Sequence, residues 1–191
     1  MRKIKNFKVN LRVREIMRVI KKLSNVAELS PDAEEAVQRG CHFYSKFISP
    51  SAVYDTFKKG GLPFVYEKDA PQKWAAQSVF FVTIGSALYE EYKKNEQTYG
   101  EHTGKIVSAV AVDALEQAKN FIQRIISNEA EDEGCEISRS ADIPRDLCVE
   151  ASKNVAAEKI GIAASENGLE PQYSSCGIIY WTPSKKKSAK R

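Results

Sequence analysis

From Val13 onward the apolar residues fall at Val13, Ile16, Met17 and Ile20. That i, i+3, i+4, i+7 spacing predicts a helix over 11–23 with one buried face. "SPDAEEAVQ" predicts the start of a second helix. Ser30 is placed to cap it, Pro31 pre-sets φ at the first helical position, and the acids that follow suit the positive end of the helix dipole. Its apolar stripe runs through Ala33, Ala36, Val37, Gly40, Cys41, Tyr44 and Phe47. The period then changes. "SPSAVYDTF" is short and β-rich, "KKGGLPF" has the glycines and proline of a turn, and "LPFVYE" reads as a short strand. Residues 78–84 form a continuous β-branched and aromatic run, the pattern of a strand covered on both faces, and Gly85 ends it.

Next, "SALYEEYKK" reads as a short helix, and a longer one is predicted over about 104–127. In "KIVSAVAVDALEQAKNFIQRII" one stripe is Ile106, Val110, Asp113 and Gln117, and its neighbour is Val107, Ala111, Ala114, Ala118, Phe121 and Ile125. The small residues in the middle let another backbone approach closely. "NEAEDEG" reads as a surface loop, "CEISRS" as a strand, and "RDLCVEASKNVAAEKI" as a helix with Leu147, Ala151, Val155 and Ala156 inward. "GIAASENG" and "QYSSCGIIYWTP" read as closing strands. Strands scattered among helices predict an α+β class: a single domain over 1–184, with a mixed or mainly antiparallel sheet flanked by helices. Residues 185–191 are expected to be a basic flexible tail.

At 191 residues, 42% hydrophobic and 28% charged, the chain has a globular rather than a disordered composition. Its net charge of +4 is unevenly spread: residues 1–24 carry nine Lys/Arg against one acid, and 185–191 five against none. The 15 basic and 24 acidic residues between them leave a body of −9. Basic ends on an acidic body argue against a nucleic-acid interface built through the fold. No apolar run reaches the roughly 20 residues of a membrane span, and the amino terminus lacks the apolar region of a signal peptide. A cytoplasmic location is the expectation. Cys41, Cys135, Cys148 and Cys176 are far apart, with only His42 and His102 to join them, so no zinc or other metal site is expected. Cys41 and Cys148 read as small buried hydrophobes.

Phosphate-binding glycine loops and the G-x-S-x-G elbow are absent. "VTIGS" has a strand–glycine–helix layout whose helix start could receive an anion. Trp74, Phe80, Phe81 and Trp181 read as packing residues. Two charges stand apart. Glu116 follows a tightly packed helical segment, where it either takes a ligand or lies on the solvated side and pairs with Lys119 or Asn120. Arg139, in "GCEISRSADIP", is either a fork for a carboxylate at a strand end or a surface loop charge.

The order of segments adds to this. "ISPSAVYDTF", "VFFVTIGSALYEEY", "IVSAVAVDALEQAKNFI", "GCEISRSADIP" and "ASKNVAAEKIGIAASENGLEPQYSSCGIIYW" together resemble the activation domain of cobalamin-dependent methionine synthase. The likeness runs from the first helix to Trp181. It includes a threonine-x-glycine turn after the buried strand and a P-x-x-S-x-x-G stretch at Pro171, Ser174 and Gly177. The resemblance implies an S-adenosylmethionine site, with Arg139 on the ligand carboxylate, Glu116 on its ammonium, and Ala141, Ser174 and Gly177 lining it. It implies a cobalamin (corrinoid) protein as partner, since the chain lacks a D-x-H-x-x-G cobalamin motif and room for substrate barrels. That partner could be a truncated methionine synthase, with flavodoxin as electron donor. No catalytic acid or base is implied; the chemistry is reductive methylation of the partner's cofactor, and positioning is the protein's part.

The family pattern R-x-x-P-G-Y is not kept: Arg139 is followed by Ser-Ala-Asp-Ile-Pro, without the glycine–tyrosine turn, and Ser108 stands where an aspartate is common. Weak or absent S-adenosylmethionine binding is therefore expected. The alternatives are an interaction module that kept the fold and lost the ligand, and, less favoured, nucleic-acid binding through the basic ends.

Overall fold

A computed structural model describes residues 1–62 and 70–184, with the side chains of 95–102 left aside. Most of the strand expected at 62–67, and the basic tail 185–191, lie outside the described residues. The elements are β1 (Arg2–Lys5), α1 (Val13–Ser24), α2 (Pro31–Tyr44), β2 (Ser51–Lys58), β3 (Ala76–Thr83), α3 (Ala87–Asp132), β4 (Cys135–Ile137), α4 (Arg145–Asn154), β5 (Ala163–Ser165), β6 (Gly168–Glu170) and β7 (Ser174–Pro183). Five strands form one antiparallel sheet in the order β1-β2-β3-β7-β4, and β5 and β6 form a small hairpin beside it. This is the α+β architecture that the interleaved patterns predict.

β3 is central in the sheet, between β2 and β7, and is packed on both faces, by α3 on one and by α4 with the turn around Ala157–Ile160 on the other, which accounts for its unbroken apolar run. Alternation along the strands sends Tyr54, Phe80, Val82, Ile179 and Trp181 to one face, where Ala118, Ile122, Ile126 and Ala130 of α3 meet them. Ala114, Ala118, Ile122, Ile126 and Ala130 recur every fourth residue along the buried side of α3. Val53, Val79, Phe81, Ile178 and Tyr180 point the other way, onto α4 and the turn around Ala157–Ile160. A third cluster lies along the earlier part of α3, where Val107, Val110, Ala111 and Ala114 take Ile16 and Ile20 of α1 and Val37, Cys41 and Tyr44 of α2.

Several local expectations hold for the stated reasons. Ser30 Oγ accepts from the Ala33 amide at 3.3 Å with Pro31 at the first helical position, which makes Ser30 the cap of α2. Gly85 takes φ +86°, a value that a side chain disfavours, and separates β3 from α3. Trp74, Phe80, Phe81 and Trp181 are all buried.

Other expectations are corrected. The short helix at "SALYEEYKK" and the longer one at 104–127 are one helical span, because no proline interrupts the backbone bonds and glycine costs only about 1 kcal/mol inside a helix. "NEAEDEG" is not a surface loop up to Asp132. Ala130 belongs to the buried row, and Glu129 is held by the Tyr54 hydroxyl at 2.5 Å and by Arg2. The helix formed by "RDLCVEASKNVAAEKI" stops at Asn154, and Ala156 adopts a left-handed turn instead of continuing inward. The basic amino terminus supplies β1, an edge strand whose lysines discourage further pairing.

Ser78 ties β3 to both of its neighbouring strands through side chains. Its Oγ accepts from Trp181 Nε1 at 2.8 Å and lies 2.8 Å from Thr56 Oγ1, all beneath α3. Ser78→Ala should destabilise the protein by about 1–3 kcal/mol, because it leaves the buried indole N–H without an acceptor. Urea unfolding of the variant checks this, and an unchanged midpoint would count against the bond.

Candidate functional site

The middle of α3 and the start of β7 enclose a groove of about 440 Å³ lined by Val112, Leu115, Glu116, Lys119, Asn120, Gln123, Ser140 and Ser175. The helix supplies Val112, Leu115, Glu116, Lys119, Asn120 and Gln123 at spacings of three and four, which places them along one side. Val112 is 52% exposed, an apolar side chain left facing the groove rather than the core. A larger cavity, about 770 Å³, lies further along α3 between Tyr54, Glu129, Asp132 and β1. Its central charges already have partners: Glu129 with Arg2 and Tyr54, and Asp55 with the amino terminus at 2.7 Å.

One turn before Gln117, buried and outside the groove's lining, stands a carboxylate that the sequence reading did not single out as a site residue. Asp113 is 2% exposed and accepts from the Arg12 amide at 2.9 Å, Arg12 Nε at 2.8 Å and Gln117 Nε2 at 2.7 Å, with Arg12 Nη2 also 2.8 Å away. The forked contact raises the Arg12 pKa further above its ordinary value, with the Asp113 bond as the main cause. The signal was in the sequence: Asp113 sits within the apolar stripe of Ile106 and Val110, where a buried carboxylate requires a cation. That cation comes from 101 positions away. Arg12 Nη2 also lies 3.4 Å from Glu116. Glu116 is on the solvated side, as its second reading had it, but its partner is Arg12 rather than Lys119 or Asn120; Lys119 instead lies 3.9 Å from Asp142.

The stretch 138–141 explains where Arg139 sits. Ile137 pairs with Trp181, the Ser138 amide donates to the Tyr180 carbonyl, and Ala141 pairs with Ile178. From Ile137 to Ala141 is four steps, but from Trp181 to Ile178 only three. The edge therefore bulges by one residue at Arg139–Ser140, a device that re-aims side chains. Ser138 Oγ stabilises it by accepting from the Tyr180 amide at 3.0 Å and donating to the Arg139 carbonyl at 2.8 Å. Arg139 is exposed, and Ser140 is the residue of the pair that lines the groove with Glu116.

The remaining candidates lie close by in other roles. Ala141 spends its amide and carbonyl on Ile178, each at 2.9 Å. Ser174 Oγ donates to the Pro171 carbonyl at 2.7 Å and the residue faces a separate, smaller cavity, while its neighbour Ser175 reaches the groove. Gly177 is buried against Phe80: a Cβ there would stand 2.5 Å from Phe80 Cζ and 3.2 Å from the Ala141 carbonyl. Ser108 bonds the hydroxyl of Tyr173, whose pKa burial raises. Among the described residues no group of three or more His, Cys, Asp or Glu could hold a metal ion, and no helix is long and apolar enough to cross a membrane.

The groove thus offers a carboxylate, an ammonium, two amides and two hydroxyls beside Val112 and Leu115. That set suits a zwitterionic, amino-acid-like end group, and it contains no aromatic wall for a base. No protein-family model matches the chain, and no curated protein sequence matches it either. Among solved structures, a crystal structure of the MetH reactivation domain bound to AdoHcy superimposes with a TM-score of 0.60 at 13% identity, covering 97% of this chain and 79% of the other. The described elements, their order and their antiparallel sheet thus make up the fold of the MetH reactivation domain.

Proposed function

We propose that this chain is a stand-alone counterpart of the methionine synthase activation domain, assisting reductive methylation of a separate corrinoid protein. The observation that carries the reading is the groove of Glu116, Lys119, Ser140 and Ser175 on a fold shared with a domain solved with AdoHcy. S-adenosylmethionine supplies the methyl group in this scheme. Glu116 would take its ammonium and Lys119 its carboxylate, with Ser140 and Ser175 on the rim and Arg139 exposed next to Ser140 at the bulge. Electrons come from a flavodoxin-type donor, and the cobalamin belongs to the partner, which could be a truncated methionine synthase.

The residues fit the amino-acid end of the ligand better than its adenosine. Glu116 is 59% exposed and shared with Arg12, and no aromatic ring lines the groove. An exposed ion pair of this kind contributes about 0–1 kcal/mol. Titration calorimetry should therefore give saturable binding of S-adenosylmethionine with a dissociation constant of about 0.1–1 mM, or about −5.5 to −4 kcal/mol. Glu116→Ala should weaken it by up to about fivefold. A micromolar or tighter constant would overturn the weak-site reading.

A second reading has its own support: an interaction module that kept the fold and lost the ligand. Glu116 has an internal partner, Ala141 has spent its backbone groups, and Gly177 is covered. No heat up to millimolar ligand, with retained capture of a corrinoid protein, selects it.

A further inference from the structure

Cys148 on α4 and Cys176 on β7 come from segments 28 positions apart, and their Sγ atoms lie 3.3 Å from each other. Neither is disulfide-bonded, and they are 7% and 8% exposed. Sequence spacing gives no hint of the pair. It forms because α4 packs Cys148 and Ala151 onto the face of the sheet that receives Cys176 and Ile178. A cavity of about 280 Å³ opens beside them, lined by both cysteines together with Asp142, Arg145, Ser174 and Gln172. It is large enough for a few water-sized molecules, so a small polar oxidant can reach sulfurs that bulk solvent hardly touches.

We propose that Cys148 and Cys176 are a site of reversible oxidation by hydroperoxides, closing to an intramolecular disulfide between α4 and β7. Cys148 is the attacking sulfur. The contact with Cys176 lowers its pKa and Arg145 helps, against burial and the nearby charges of Asp146 and Asp142, which raise it. Cys176 is raised by its contact with Cys148 and by burial, while the Cys148 thiol also has the Ile143 carbonyl at 3.5 Å as an acceptor. Sulfur of Cys148 attacks one peroxide oxygen, an S–O bond forms as the O–O bond breaks, and one water leaves. Sulfur of Cys176 then attacks the resulting sulfenic acid, the S–S bond forms, and a second water leaves. Two thiols and one hydrogen peroxide give one disulfide and two waters, with the thiol protons ending in the waters. The sulfurs must approach from 3.3 Å to about 2.05 Å. Reduction by a dithiol reverses the change.

The bond would tie α4 to the strand that begins at Ser174, next to the groove, whatever the groove holds. Cys41, buried between α1, α2 and α3 with its pKa pushed up to about 11, and Cys135, on β4 opposite Pro183 at the far end of β7, provide internal controls.

The experiment treats the full chain with a small excess of hydrogen peroxide, alkylates it in denaturant and maps it by mass spectrometry. The expected product is two hydrogens lighter, contains a Cys148–Cys176 linked peptide and retains two alkylatable thiols of the original four. Dithiothreitol should restore all four. The Cys41→Ser/Cys135→Ser double variant should form the link unchanged, and Cys148→Ser should lose it. Unlinked Cys148 and Cys176 after treatment, sulfinic acid at Cys148, or links through Cys135 instead would each overturn the proposal.

Discussion

Replacing Arg12 by alanine should cost about 2–3 kcal/mol of stability, more than most single changes in this protein. Removing one member of a buried ion pair costs about 3–5 kcal/mol, because the other charge remains buried without a partner. Asp113 meets that condition with a side chain 1% exposed, whereas Arg12 is 42% exposed and partly solvated already, which reduces the figure. The substitution leaves the backbone amide bond to Asp113 and the Gln117 bond in place. Asp113→Asn should cost less, since it removes the charge but keeps the shape and an acceptor, and Arg12 can turn to water. Denaturant unfolding of the two single variants and the double variant forms a cycle, and a coupling of about 1–2 kcal/mol is expected. Strict additivity would mean that the residues do not act as a pair. The change also reaches the groove. Without Arg12, Glu116 has no guanidinium beside it, so Arg12→Ala should strengthen binding of any cationic group there while weakening the fold.

Gly177→Ala should destabilise the chain by about 1–3 kcal/mol, through overpacking rather than through loss of a contact. The added methyl would stand 2.5 Å from Phe80 Cζ and 2.7 Å from Cε1. Phe80 is 1% exposed and packed beneath α3, so its ring has little room to withdraw. On the other side the Ala141 carbonyl, fixed by its bond to Ile178, stands at 3.2 Å. Phe80→Leu, which shortens the opposing side chain, should recover part of the loss in the double variant. Thermal unfolding measures both. A Gly177→Ala protein as stable as its parent, yet altered in ligand binding, would return Gly177 to the ligand site.

These two residues show how differently the chain carries its information. Gly177 is legible as a special position because a glycine within "SSCGIIYW" interrupts a strand of large residues. The motif suggested a ligand, and what meets it in the fold is the ring of Phe80. Arg12 looks like one of nine basic residues near the amino terminus. Only the packing of α1 on α3 shows that it neutralises Asp113. Arg139 lies between these cases. Its position at a strand end was readable, but the extra residue at Arg139–Ser140 was not, since a bulge is a relation between two strands.

Local pattern determined the helix expected over 11–23, the helix opened by Ser30 and Pro31, the doubly covered strand, the small-residue helix and the α+β class, because each depends on neighbours within a few positions along the chain. The order of those segments was enough to point to the activation-domain fold. Tertiary structure decided the rest: the unbroken α3, the pairing of Asp113 with Arg12, the choice of Ser140 over Arg139 at the groove, and the meeting of Cys148 with Cys176. Each is a contact between residues distant in sequence, and it depends on the register of strands and the rotation of a helix on the sheet. A shift of one residue in that register turns every side chain to the opposite face, and no local pattern records it.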